Sequence, residues 1–378
     1  MGNSKRTVGR GVVRRKPIPP GTSVRNPPGT SVRNPPGTSV RNPPGTSVRV
    51  TLRDIAAATG FTMNTVSRAL KGKSDISART RGLIQKEARR MGYIPNALAA
   101  SLRSGRTRTI SVIIPDISDP LFAILVRDIE ARLKAKDFDL FIQNTDEDDE
   151  LERRAVMAAI GKKIDGIIIC PCQKSAANIT LMQDNGIPFV LLCRRFARGT
   201  FNYVVADDVK GGFLATEHLV QRGHTEILFL NGPRYISSAR ERLLGYRQAL
   251  EKNGIAFRKS LVQEVEIRGG ECTRTLQTLL ARKVRFTSIF CFSDLMAWEA
   301  ISFLQSQGLK IPQDVAIVGF DDIQSRLYYP YPLTSVGYGK KKIADIAVDT
   351  LMERIEKPSK HRDVHRAVDV RISARRST

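Results

Sequence analysis

The sequence predicts an α/β protein: an N-terminal all-α helix-turn-helix domain, then a larger core of two subdomains built on parallel sheets. Three observations predict it. Two short helical patterns after Val50 are joined by three residues that include Gly60. From Ile110 onward, continuous Val/Ile/Leu runs alternate with amphipathic helical stretches, as in parallel sheets covered on both faces. That region runs to roughly 265 residues, more than one doubly wound sheet holds, so two subdomains with a ligand cleft between them are expected.

The charge is unevenly placed. Of a formal net charge of +24, residues 1–49 carry ten Lys and Arg and no acid, and residues 50–109 carry twelve against three. The remaining residues, with 39 bases and 34 acids, resemble an ordinary soluble domain. A basic segment beside a near-neutral globule points to nucleic acid, because cationic side chains displace counterions from the phosphate backbone. An anionic lipid surface attracts the same excess, so charge alone does not decide. No apolar run approaches a membrane span, and the basic N-terminus lacks the apolar core of a signal peptide. Five cysteines at irregular spacing fit a reducing cytoplasm better than a disulfide framework. Cys170 and Cys172 form a CxC pair with no second pair, and read as buried or loop thiols rather than a metal site.

Residues 19–49 repeat one octapeptide, Pro-Pro-Gly-Thr-Ser-Val-Arg-Asn, from Pro19 to Asn42, with an incomplete copy ending at Arg49. It offers almost nothing to bury, so residues 1–49 read as a disordered basic arm, incidental to the domain that begins at Val50 or attracting DNA without specificity.

Within 50–95, Thr51 with Asp54 three residues on forms a capping box. The first helix runs to Thr59, with Ile55, Ala56 and Ala58 available for packing, and Gly60 ends it. Thr62 caps a second helix, Met63 to Leu70, packing through Val66 and Leu70; Ser77 caps a third, to Met91, with Thr80, Ile84, Ala88 and Met91 inward. The second helix then presents Met63, Asn64, Ser67 and Arg68 outward. Asn pairs with adenine bidentately, Arg with guanine, and Met meets a thymine methyl. The plain alternative is a solvated helix face; the local charge favours DNA. Residues 96–109 read as a linker in which Asn96 caps a short helix through Leu102, followed by Arg103, Arg106 and Arg108. Such a helix is too short to stand alone and needs a partner.

The core strands are expected at Ile110–Ile114, Leu140–Ile142, Ile167–Ile169, Phe189–Leu192, Ile227–Leu230, Ser288–Phe292 and Val315–Phe320. Helices are expected at Phe122–Lys134, Leu151–Gly161, Gly211–Arg222, Ala239–Asn253 and Leu295–Gln307. The core spans 110–374. One subdomain takes about 110–206 plus 336–360; the other takes about 207–335 plus 361–374.

Val50 to Ala56, Thr65-Val66-Ser67-Arg68 and Gly92-Tyr93-Ile94-Pro95-Asn96 together resemble the LacI/GalR family of bacterial repressors. Asp119-Pro120-Leu121-Phe122, Arg242-Leu243-Leu244-Gly245-Tyr246, Ser293-Asp294-Leu295-Met296-Ala297 and Val318-Gly319-Phe320-Asp321-Asp322 extend the resemblance in order over residues 50 to about 374. The resemblance implies a cytoplasmic homodimer on a palindromic operator of double-stranded DNA, with Leu102 wedged into the central minor groove. It implies a periplasmic-binding-protein-like core that takes a small-molecule effector, a sugar or nucleobase, with contacts on Phe122, Arg242, Ser293 or Asp294, and Asp321. It implies no cofactor, metal or membrane partner. The chain ends at Thr378 without the heptad tail that makes tetramers, so a dimer is expected.

Two positions depart from the pattern. Where the family commonly has an Asp after the fourth strand, this chain has Cys193 followed by Arg194; where it has Gln-Pro, this chain has Tyr338-Gly339. One lost anion beside Arg194 and Arg242 shifts the expected effector towards a sugar acid or phosphate, with a neutral sugar the default. An enzyme is disfavoured. Asp294 and Asp321 lack an accompanying nucleophile or metal set, and His361 and His365 read as solvated. His218 and His224 read as packing around a helix end. A free solute-binding protein of the same core fold is the remaining alternative, disfavoured by the helix-turn-helix.

Overall fold

The computed structural model describes residues 50–95, 105–197, 199, 201–329, 331–357 and 363–378. The arm, Asn96, Leu102, Arg103 and His361 lie outside them. The chain divides at Ile94 into two compact units, each with its own core.

The first unit has three helices: α1 (Leu52–Thr59), α2 (Met63–Leu70) and α3 (Ala78–Arg90). Thr51 donates from its backbone N and its hydroxyl to the Asp54 carboxylate, both at 2.8 Å, which fixes the start of α1. Gly60, at φ 72, supplies the left-handed turn that ends it. Thr62 and Ser77 accept from Thr65 N and Thr80 N, each at 3.2 Å, as the expected caps. The core is Ile55, Val66, Ala69, Ile84 and Ala88. Ala58 is exposed, contrary to expectation, and Ala69 takes an inner place that the apolar pattern gave to Leu70, which is only half-buried.

The second unit holds two six-stranded sheets. The first is built from β1 (Thr109–Ile114), β2 (Asp139–Asn144), β3 (Gly166–Ile169), β4 (Phe189–Leu192), β5 (Tyr203–Ala206) and β11 (His365–Val368). Its order is β11-β5-β4-β3-β1-β2, parallel throughout. Helices α4 (Pro120–Lys134), α5 (Asp149–Gly161), α6 (Ala177–Asp184) and α11 (Lys340–Glu356) cover it.

The second sheet comprises β6 (Ile227–Asn231), β7 (Val262–Glu264), β8 (Ser288–Cys291), β9 (Ala316–Asp321), β10 (Thr334–Tyr338) and β12 (Val370–Ser373), with α7 (Asp208–Val220), α8 (Ser237–Lys252), α9 (Glu271–Ala281) and α10 (Asp294–Ser306) against it. Its order is β12-β10-β9-β8-β6-β7, with only β12 antiparallel. The inner strands are buried on both faces, as their unbroken apolar runs require.

The chain passes between the sheets after Ala206, after Tyr338 and at Asp369. The second and third crossings differ from the bounds set by sequence, after 335 and after 360. Strand β10 extends to Tyr338 in the second sheet, and β11, assigned by sequence to the second subdomain, pairs with β5 in the first. A single residue, Asp369, separates β11 from β12, so one short extended segment serves both sheets.

Candidate functional site

On α2, Met63 is 55% exposed; Asn64 and Arg68 are exposed and Ser67 is half-buried. Thr62 is spent on its cap. Arg68 is not free, because its Nε and Nη2 reach one oxygen of Asp75 at 2.7 and 2.6 Å. Met63, Asn64, Ser67 and Arg68 thus share one face of α2, the first two at its start and Arg68 in its last turn; the other residues expected to touch DNA, Asn96, Leu102 and Arg103, fall outside the described residues.

In the second unit, a cavity of about 610 Å³ opens between the C-terminal ends of the strands of both sheets, the usual ligand position in such folds. Of the residues expected to meet the effector, Phe122, Arg194, Arg242, Ser293 and Asp321 line it. Asp294 does not. Ser293, extended at the start of α10, faces the cavity while its Oγ accepts from Met296 N at 3.3 Å. One residue later the helical turn carries the Asp294 carboxylate into the interior. There it accepts from Ile323 N at 2.7 Å and Ser335 Oγ at 2.5 Å.

Arg242 is buried, donates to Asp208 Oδ1 at 2.8 Å and to the Phe292 carbonyl, and lies 3.5 Å from the centre of the Phe320 ring. Its charge is met by one carboxylate and two aromatic faces. Arg194 is also buried; it donates to both Glu147 oxygens, at 2.8 and 2.5 Å, and to Pro171 O at 2.9 Å. The expectation that these two arginines leave the pocket short of anions is therefore corrected. Eight carboxyl-bearing residues line the cavity (Asp116, Asp119, Asp146, Glu147, Asp208, Glu266, Glu299 and Asp321) against Arg194, Arg242 and Arg268.

Sequence reasoning missed Asp119, Glu147 and Asp208 as lining residues. Asp119 was signalled by its place before Pro120: its Oδ1 caps α4, accepting from Leu121 N at 2.8 Å. Nothing singled out Glu147 within its acidic run. Burial pushes the Asp119 carboxyl up to about 6 and the Asp321 carboxyl up to about 7, and each feels neighbouring acids as well. Tyr338 donates to Asp321 Oδ1 at 3.2 Å. Asp146, Glu147, Cys193 and Asp321 line the cavity at positive φ, 51, 56, 60 and 104, a concentration of backbone strain around the site.

Ties between the two subdomains flank the cavity. Arg195 N donates to Ser237 Oγ at 3.1 Å and Ser237 N donates to Gln173 Oε1 at 2.8 Å, while Gln173 Nε2, donating to Arg195 O at 2.8 Å, joins the two loops of the first subdomain that make these ties. Arg326 forks onto both oxygens of Asp128. A guest held by both walls therefore bears directly on how the subdomains meet.

Elsewhere, Asp149, Glu152 and Cys172 approach one another within 4.8 Å, but the two Glu152 oxygens accept from Asn178 Nδ2 and Cys172 N, and burial pushes the Cys172 thiol up. His218 is buried against Thr378, His224 meets Thr287 Oγ1, and His365 stacks on Tyr203. No helix of the described residues is long and apolar enough to cross a membrane.

Residues 107–375 match the family model of periplasmic binding proteins and the sugar binding domain of the LacI family; residues 51–96 match that of bacterial regulatory proteins of the lacI family. The chain belongs to the LacI family. It is 28% identical over 317 residues to the HTH-type transcriptional repressor PurR of Aliivibrio fischeri, covering 83% of this chain and 94% of that one. It is 30% identical over 314 residues to the ribose operon repressor of Haemophilus influenzae, covering 82% and 93%. The solved complex of the transcriptional regulator CelR with cellobiose superposes with a TM-score of 0.67 at 26% identity, over 87% of this chain and 100% of that one. As a LacI-family member the protein is a DNA-binding transcriptional regulator with an effector-binding core, and not an enzyme.

Proposed function

We propose that this LacI-family regulator is a cytoplasmic repressor that binds a palindromic operator as a dimer and answers to a neutral, hydroxyl-rich sugar. The observation that carries the effector class is the excess of carboxylates over arginines in the cavity, with Arg194 and Arg242 each already paired to an acid. Carboxylates accept from sugar hydroxyls and repel an anionic guest. The aromatic wall at Phe122 and Phe292 suits the C–H face of a sugar ring. The names of the relatives, which include a ribose operon repressor and a cellobiose complex, support the same reading.

On the DNA side, Asn64 and Arg68 read bases, while Asn96, Leu102 and Arg103 keep the linker and minor-groove roles that the resemblance implies. The test is selection of bound duplexes from a random pool, followed by thermal-shift titration with neutral hexoses, pentoses and their uronates. Stabilisation by a neutral sugar together with altered binding to the selected DNA is the expected result. Stabilisation by uronates alone overturns the effector class.

A further inference from the structure

We propose that Asp75 is a specificity-determining residue of the DNA-reading surface: it orients the guanidinium of Arg68 so that one edge is left for guanine. The proposal rests on α2 being the base-reading helix.

A guanidinium is a planar fork with two useful edges, the side edge (Nε and Nη2) and the end edge (Nη1 and Nη2). Asp75 Oδ2 occupies the side edge, at 2.7 Å from Nε and 2.6 Å from Nη2. The end edge is left, and it carries the parallel pair of donors that matches guanine O6 and N7. An arginine held by its side edge is thus turned end-on, its rotamers reduced before DNA arrives.

Asp75 is itself held. The segment between α2 and α3 folds back on the helix, with Gly72 N donating to Ala69 O and Lys73 N to Arg68 O, both at 3.1 Å. Arg81, from α3, donates to Lys73 O at 2.7 Å and to Ile76 O at 3.1 Å, the carbonyls on either side of Asp75. Ile76 packs against the three-helix core, and Ser77 caps α3. Both partners of the ion pair are about half exposed, 45% and 49%, so the pair adds little to folding. An acid on a surface that meets phosphates works against affinity, so its contribution is to selectivity.

The experiment uses the full chain, with DNA selected from a random pool and then assayed as single-base variants at one salt concentration. Arg68→Ala is expected to erase a guanine preference at one position of each half-site. Asp75→Asn, which keeps the side-chain volume, is expected to reduce that same preference about tenfold and leave the other positions alone. The double variant should be no worse than Arg68→Ala at that position. If Asp75→Asn binds every sequence more tightly with the guanine preference intact, Asp75 acts only by repulsion and the proposal is overturned. It is equally overturned if the two substitutions are additive at every position. If Arg68→Ala keeps the parent's profile, the failure lies instead with Arg68 as a base reader. Equal thermal midpoints of parent and variants exclude unfolding as the cause, and an unfolded Asp75→Asn protein would overturn the proposal in favour of a structural role.

Discussion

Arg194 and Glu147, 47 positions apart in sequence, meet as a two-pronged ion pair in the cavity wall, with side chains only 6% and 12% exposed. Such a pair holds together because each partner compensates the other's lost hydration, and removing one leaves an uncompensated charge. Glu147→Gln is expected to lower the unfolding free energy by about 3 kcal/mol in urea titrations. It should also free a cation in the cavity, so uronates should gain affinity relative to the matching neutral sugars. A variant as stable as the parent, with unchanged selectivity, would show that Arg194 finds another partner.

Asp321 carries a pH dependence whose sign can be worked out. Burial raises its carboxyl to about 7, with Asp119 adding to the rise and Arg242 opposing it. Between its ordinary value and about 7 the native state keeps a proton that the unfolded chain has lost, so this group's contribution to stability falls as pH rises. Asp321→Asn is neutral at every pH and still accepts from Tyr338. Its urea midpoint relative to the parent's should rise between about pH 5 and about pH 8, by an amount on the order of 2–4 kcal/mol in stability. Comparing the two proteins cancels the groups that do not interact with Asp321; Asp119, which does, contributes to the difference as well. A difference that does not change with pH would mean that Asp321 is already ionised at pH 5.

Asp294 is expected to behave as a residue of the fold. Asp294→Ala leaves the Ile323 amide and the Ser335 hydroxyl without their acceptor in the interior. Each donor left unmet costs about 1–3 kcal/mol. Urea titration should show that loss, while effector affinity of the folded fraction stays close to the parent's. A weakened effector in a protein of normal stability would return Asp294 to the cavity.

These cases show what the sequence makes legible. The helix caps at Thr62 and Ser77 and the central strands follow from local chemistry, and they form where that chemistry puts them; Arg242 and Ser293 are legible only through the family resemblance, and Arg194 only as a departure from it. The choice between Ser293 and Asp294 turns on one residue's rotation at a helix start, which periodicity does not resolve. The Arg194–Glu147 pairing joins loops after two different strands, so no local signal announces it. Among the elements, α11 was hidden by its opening Lys340-Lys341-Lys342, although Lys340 is buried with its Nζ donating to Asp322 O at 3.1 Å. Strand β7 has three residues, too few for an alternation to show.

The crossing of α7 and α8 gives the last prediction. A methyl group at Gly245 would lie 2.0 Å from Val209 O and 2.5 Å from Phe213 N, and one at Gly212 would lie 2.2 Å from Arg242 O. These neighbours are backbone atoms, so the helices themselves must separate. Arg242 is one turn before Gly245 on α8, and its partner Asp208 is the first residue of α7. Spreading the crossing therefore pulls the buried cation from its carboxylate. Gly245→Ala should cost about 1–3 kcal/mol from overpacking alone, and it should weaken effector binding as well. Gly161→Ala, in the last turn of α5 with open space around the added methyl, should instead be neutral or stabilising by up to about 1 kcal/mol. Urea titration of both, with sugar titration of Gly245→Ala, tests the pair. Equal stabilities would mean that the helices tolerate separation, and that Arg242 is held by its aromatic neighbours Phe292 and Phe320 rather than by the crossing.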